Sequence, residues 1–193
     1  MDKRIIEDLS QIVENENVLT EKEYLIAYSY DAKERGELPV AVVRPENTGQ
    51  VSQILALCNR LRLPVIARGA GTGAVGGAVP KGPCLVLETV RMNRILEMAP
   101  REFLARVQAG VITKELDLAA NKHGLIYAPD PASWETSTVG GNAATCAGGL
   151  RAVRYGVTKH HVLGAVVVLA DGRVIRTGVR TKKGVVGYDL TEL

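Results

Sequence analysis

The chain has 193 residues, a formal net charge of +3, 46% hydrophobic and 23% charged residues, and 20 glycines against one Trp, one Phe and six Tyr. Such a composition supplies a core for one domain or two small ones and excludes an intrinsically disordered tract. The net charge is too small to point to nucleic acid, and glycines that cluster rather than recur every third residue exclude a collagen-like repeat.

Residues 3–16 place Ile5, Ile6, Leu9 and Ile12 at helical spacing. Thr20-Glu21-Lys22-Glu23 reads as a capping box that starts a second short helix. Pro39–Arg44 is a strand stopped by Pro45. Asn47 or Thr48 then caps a helix with Val51, Ile54, Leu55, Cys58 and Leu61 on one apolar stripe, which makes Cys58 a core residue. Pro64–Ala67 is the next buried strand, so the opening pattern is strand–helix–strand. Short strands follow at Leu85–Leu87, Ile95–Met98 and Phe103–Val107. A helix runs from Thr113 to Gly124, with His123 near its end where a cation complements the dipole. Pro129–Gly149 has little periodicity. Val162–Leu169 and Val174–Thr177 form a hairpin through a tight Asp171-Gly172 turn, and Tyr188–Leu193 reads as a helix start.

Charge is spread unevenly, with 6 bases and 11 acids in residues 1–50 and 8 bases and 3 acids in residues 151–193. The basic portion suits a solvated face or an anionic ligand. Cys58, Cys84 and Cys146 are odd in number. Met1 leads into an amphipathic segment, so the expectations are reduced thiols, a cytoplasmic location and no membrane span.

Two glycine clusters carry the chemistry. Arg68-Gly69-Ala70-Gly71-Thr72-Gly73, with Gly76 and Gly77 close behind, follows directly on a strand. Glycines at that density let backbone N–H groups converge on phosphate oxygens, with Thr72 adding a hydroxyl and Arg68 a charge near a diphosphate. A glycine-rich turn packed against the sheet is the other reading. Gly71, Gly73 and Gly76 match the dinucleotide fingerprint literally, but Pro80 and Pro83 leave no room for the helix it requires. No Gly-Lys-Ser/Thr ending makes it a P-loop.

The second cluster, Ser137 to Gly149, interleaves glycines and alanines with Ser137, Thr138, Asn142 and Thr145. It suits a flat ligand whose ring edges meet amides and hydroxyls, or else a contact between elements that needs small residues. His160-His161, read at a strand start, would point to opposite faces and so suits a surface or lining role rather than one metal site. Trp134, Tyr155 and Tyr188 are candidates for lining a cofactor or for the core. No His, Cys and carboxylate cluster has metal-ligand spacing, and no catalytic side chain is assigned.

In order, "PVIARGAGTGAVGGAV", "PDPASWETSTVGGNAATCAGG", "VRYGVTKHHVLGAVVVLADGRV" and "KKGVVGYDLTEL" resemble successive signatures of the vanillyl-alcohol-oxidase or PCMH-type FAD-binding domain. Within it they are similar to the glycolate oxidase D-subunit and FAD-linked D-lactate (D-2-hydroxyacid) dehydrogenase branch. The resemblance implies an α+β fold of two small α/β subdomains with FAD between them, spanning 39–193 after a helical segment at 1–38. It implies that Arg68, Gly69, Ala70, Gly71, Thr72 and Gly73, with Gly76 and Gly77, hold the FAD pyrophosphate. Pro129, Ser137, Thr138, Gly140, Gly141, Asn142, Thr145 and Gly148 would lie along the flavin and ribityl chain, and Val162–Thr177 would be a hairpin of the sheet under the cofactor.

Two departures from the family pattern matter. Thr72 stands where superfamily oxidases often carry a flavin-linked histidine, which implies non-covalent FAD. Cys146 stands where relatives usually show Asn, which implies one lost polar contact. The resemblance implies that a substrate domain follows in members of the family, and the expectation is that these residues do not include it. The expectation is therefore the FAD-binding portion of an enzyme that oxidises a small D-2-hydroxy acid by hydride transfer to flavin N5. A partner chain would supply the substrate domain or accept electrons. A different FAD oxidoreductase of the superfamily, or a non-catalytic nucleotide-binding fragment, are the alternatives.

Overall fold

The computed structural model describes residues 3–181 and 188–191. Its centre is a four-stranded sheet of β1 (Val18–Leu19), β2 (Ala41–Val43), β3 (Val65–Arg68) and β4 (Leu85–Glu88), in the order β1-β2-β4-β3. β4 runs parallel to both β2 and β3, while β1 is antiparallel to β2. β2 and β4 are buried along their whole length, as central parallel strands covered on both faces must be, which explains their unbroken apolar runs.

Alternation along the strands divides the core. Ala41, Val43, Leu85 and Leu87 meet Leu9 and Val13 of α1 (Lys3–Val13) and Ile54, Leu57 and Cys58 of α3 (Thr48–Leu61). Val42 and Val86 point the other way, onto Leu25 of α2 (Lys22–Ala27). Leu9 and Val13 share one cluster with the sheet, so the helical segment at 1–38 is built into the same core as the residues after it.

Asn47 caps α3, its side chain accepting from the Gln50 amide at 3.0 Å, and Arg62 ends the helix in the left-handed region with φ 52°. The box expected at Thr20 does not form. Pairing of β1 to β2 keeps the chain extended through Glu21 (ψ 135°), which becomes the N-cap of α2 without a side-chain bond.

Beyond the sheet, β5 (Ile95–Ala99) and β6 (Leu104–Val107) pair antiparallel. Phe103, expected inside a strand, instead sits at φ 54° in their connection and is 79% exposed. α4 (Thr113–Asn121) follows, then two short helices, α5 (Val139–Ala144) and α6 (Ala152–Tyr155). α5 lies in the stretch whose sequence shows no period. A 3-10 turn at Thr158–His161 precedes β7 (Gly164–Val168) and β8 (Val174–Gly178).

β7 and β8 form a ribbon of their own rather than part of a larger sheet among the described residues. Its loop is not a two-residue Asp171-Gly172 turn. Leu169 and Arg173 pair across the residues 170–172, with Gly172 at φ 89° closing the turn. The Gly172 carbonyl accepts from the Ser52 hydroxyl at 2.5 Å, which ties the hairpin to α3. Part of the helix start expected at 188–193 lies outside the described residues. No helix among them is long and apolar enough to cross a membrane.

Candidate cofactor site

The first glycine cluster leaves the C-terminal end of β3, the end at which open parallel sheets bind ligands. No helix forms between β3 and β4, as the two prolines require. Two side chains fix the loop from within. The Arg68 guanidinium, 7% exposed, donates to the carbonyls of Tyr30 at 2.8 Å, Ala78 at 3.2 Å and Ala27 at 3.4 Å, and lies 5.5 Å from the centre of the Tyr28 ring. Asp31 accepts from the amides of Lys33 at 2.9 Å and Glu34 at 2.7 Å, and its other oxygen accepts from Gly76 at 2.9 Å. The Gly73 carbonyl accepts from the Ala32 amide at 3.0 Å.

The loop's outer side differs. Among the described residues, the amides from Gly69 to Val75 find no acceptor within the protein. Gly71 holds φ +70°, and a Cβ there would collide with the Arg68 guanidinium, whereas a Cβ on Gly73 or Gly77 would meet nothing within 4 Å. Glycine is thus required at Gly71 by backbone and by packing together, and at Gly73 by neither. A run of unpaired amides with open space beside Gly73 and Gly77 is a nest for anionic oxygens.

Glu88, at the C-terminal end of β4, is buried beside this cluster. Burial raises its carboxyl above the ordinary range, against the pull of the Tyr28 hydroxyl, Arg44 and Arg68. The same surroundings push Tyr28 up to about 12, with burial first and the Glu88 charge second. For Asp31 burial works the other way from its three amides, and the amides prevail, holding its carboxyl below the usual value of 3.8.

The second cluster docks onto the first. A Cβ on Gly69 would strike the Thr138 hydroxyl, one on Gly140 the Ala109 backbone, and one on Gly110 the Thr89 carbonyl. These close approaches bring α5 against the ends of β3 and β4. Thr138 caps α5, its hydroxyl accepting from Gly141 at 3.1 Å. The side chains expected to face a ligand turn inward instead. Ser137, Thr138 and Asn142 are all buried. The Thr113 hydroxyl lies 2.9 Å from the Ser137 hydroxyl and 3.0 Å from its carbonyl, and accepts from the Asn142 amide group at 2.7 Å. Tyr127 adjoins Asn142 and is pushed up to about 12 by burial, against that hydrogen bond.

The amides from Val139 to Gly141 donate to Val111, Ala109 and the Thr138 hydroxyl. Thr145 is exposed and donates to the Gly141 carbonyl at 2.9 Å, and Gly148 packs against Val157. Beyond α5, the amides of Gly148, Gly149 and Leu150 find no acceptor among the described residues. Pro129 is buried and lines a cleft of about 560 Å³ with Asp130, Trp134, Tyr127, Gly149 and Leu150. Lys114 sits 5.3 Å from the centre of the Trp134 ring.

Other candidates fall outside this arrangement. His160 and His161 occupy the 3-10 turn, not a strand start. His160 Nδ1 accepts from the Val157 amide at 3.2 Å and His161 Nε2 meets the Tyr155 carbonyl at 2.9 Å. Tyr188 is 96% exposed, so it is no core residue. Asp31, Thr113 and Tyr127 carry no motif. Asp31 followed by residues whose amides it accepts is a readable Asx turn, but its reach to Gly76 is not readable from sequence.

Cys146 is exposed at φ 47°. Asn tolerates that left-handed conformation better than Cys, which gives the Asn expected at this position a backbone advantage. Replacing Cys146 by Asn is expected to stabilise the chain by about 0.5–1 kcal/mol, a rise of about 1–4 °C in Tm. A calorimetric scan showing no gain would place the preference in side-chain contacts instead.

Residues 39–178 match the family model described as FAD binding domain, and the chain belongs to that family. Its fold is the α+β fold of PCMH-type FAD-binding domains, and its cofactor is FAD, which the unpaired amides after β3 fit. The chain is 44% identical over 192 residues to glycolate oxidase subunit GlcD of Bacillus subtilis (strain 168), covering 99% of this chain and 41% of that protein. It is 47% identical over 152 residues to D-lactate dehydrogenase of Archaeoglobus fulgidus, covering 79% of this chain and 34% of that protein. Among solved structures, an alkyldihydroxyacetonephosphate synthase superposes with a TM-score of 0.86 at 22% identity, over 99% of this chain and 40% of that one. A 4-ethylphenol oxidase from Gulosibacter chungangensis does so with a TM-score of 0.78 at 26% identity, over 97% and 37%. The chain therefore spans less than half the length of these relatives.

Proposed function

We propose that this chain is the FAD-holding portion of a flavin-dependent oxidoreductase that oxidises a small D-2-hydroxy acid of the glycolate or D-lactate type. The observation that carries the reading is the run of unpaired amides from Gly69 to Val75 at the end of β3. The names of the two relatives, a glycolate oxidase subunit and a D-lactate dehydrogenase, support the substrate class.

The amides of Gly69, Ala70, Gly71, Thr72 and Gly73 bind the diphosphate, with the charge of Arg68 beneath them. Gly76 contributes through its tie to Asp31, and Gly77 through the open space beside it. The Pro129–Gly149 segment borders the flavin end, through the free amides of Gly148 and Gly149, the exposed Thr145 and the surface of α5. Ser137, Thr138 and Asn142 hold that segment in shape, and Gly140 and Gly141 let it pack. Thr72 offers no imidazole for a covalent link, so binding is non-covalent. The chemistry FAD supplies when bound is acceptance, at flavin N5, of the hydride from C2 of the hydroxy acid. The group that takes the hydroxyl proton belongs to the part of the enzyme beyond this chain, on the same polypeptide or on a partner.

Purified full-length chain mixed with FAD is expected to retain a flavin absorption spectrum after desalting, to quench flavin fluorescence, and to melt at a higher temperature. ADP, which shares the diphosphate, is expected to compete. A chain that shows neither retention nor a thermal shift would refute FAD binding by these residues alone.

A further inference from the structure

Arg68 is the last residue of β3, yet its guanidinium turns back under the loop that follows it. Its three carbonyl acceptors come from two separate places. Ala27 and Tyr30 lie at and just beyond the end of α2, and Ala78 lies at the far end of the glycine loop. One planar group therefore joins the start of the loop, its end and the neighbouring segment, while Tyr28 covers its face. Gly71 rests directly against the guanidinium, since a Cβ there would collide with it. Asp31, from that same neighbouring segment, holds the Gly76 amide. Arg68 and Asp31, with the Gly73 carbonyl on the Ala32 amide, thereby tie the loop to the neighbouring segment, and its amides from Gly69 to Val75 are left without an acceptor.

We propose that Arg68 is a positioning residue that clasps the 69–78 loop from beneath and keeps its amides directed outward, rather than a direct ligand of the anion. The inference deepens the reading of this loop as the FAD diphosphate site and rests on it. The fork geometry decides the residue type. A guanidinium reaches several carbonyls at fixed angles and stacks on an aromatic face, whereas an ammonium offers one point of attachment. A lysine is the variant of choice because it keeps a cation beside the buried Glu88, which favours a positive charge at this position.

Arg68→Lys keeps the charge and removes the fork. Loss of one or two such bonds is expected to raise hydrogen exchange about tenfold at the amides whose bonds depend on the clasped loop, Gly76, Val79 and Ala32, with the amides of α3, β2 and β4 unchanged. FAD affinity is expected to fall about tenfold, while riboflavin, which lacks the diphosphate, changes less than about twofold. Asp31→Asn, which keeps one acceptor oxygen and loses the other, is expected to loosen the same loop and serves if the lysine variant does not fold. Weaker FAD binding with unchanged loop exchange would make Arg68 a direct ligand and overturn the proposal. A uniform rise in exchange across the sheet, or equal losses for FAD and riboflavin, would reduce Arg68 to general stabilisation and overturn it too. Exchange in the loop is read without ligand. A wild-type chain that takes up no FAD would therefore count against the proposed function, while the exchange data still decide the clasp.

Discussion

Gly71→Val is expected to abolish FAD retention, with a loss of at least about 100-fold in affinity and a fold weakened by about 3 kcal/mol. Two effects add at this residue. Valine is β-branched and is a genuine outlier at the φ of +70° that Gly71 adopts, at a cost of about 1–3 kcal/mol. Its Cβ would also run into the Arg68 guanidinium, which is held by three carbonyls and cannot withdraw without breaking them. The loop must then shift, and the amides on its outer side shift with it. Gly73→Ala is the informative control, because its Cβ would meet nothing within 4 Å and its backbone needs no glycine. That variant is expected to keep its Tm within about 2 °C, an ordinary surface effect. Any loss of FAD by Gly73→Ala would then report a ligand approaching closely at Gly73. Equilibrium titration by flavin fluorescence, beside thermal melts, separates the two terms. Full FAD affinity in Gly71→Val would remove the loop from the diphosphate role.

The parts of the fold that were legible in the sequence are those fixed by local rules. The stripe of Val51, Ile54 and Cys58 with Asn47 before it specified α3, since cap and period agree there. The apolar runs of β2 and β4 specified strands, and both are buried along their length. The prolines after Gly76 excluded a Rossmann helix, and none forms. What escaped was set by tertiary contact. β1 is two residues long and exists because β2 is beside it. α5 has two glycines in six residues and no apolar stripe, so its helix depends on the Thr138 cap and on packing against Ala109. Polar side chains in a small-residue stretch look alike whether they face a ring or each other. Ser137 and Asn142 face Thr113, a residue 24 and 29 positions away. Arg68 was legible as a charge beside a phosphate loop, but its burial under the loop depends on Tyr28 and Ala78, which share no motif with it.

Thr113→Val is expected to lower stability by about 2–4 kcal/mol, or about 5–15 °C in Tm, although it changes the side chain's size very little. The Thr113 hydroxyl is the shared partner of Ser137 and Asn142 in a site that water does not reach. Valine fills the same space but leaves the Ser137 hydroxyl and one Asn142 N–H without partners, and each buried orphan costs about 1–3 kcal/mol. The Ser137 carbonyl is spared, because it also accepts from the Thr113 amide at 2.9 Å. Thr113→Ser retains the hydroxyl and loses one buried methyl, so about 1 kcal/mol is expected. The pair of changes is more diagnostic than either alone. Ser137→Ala removes a group that Thr113→Val would orphan, so the double variant is expected to be no less stable than Thr113→Val by more than about 0.5 kcal/mol. Strict additivity in that cycle would show that the two hydroxyls act independently. Coupling would establish that the polar residues of the second cluster work inward, as the frame that seats α5 against Gly69 and so holds the two glycine clusters at one edge of the sheet.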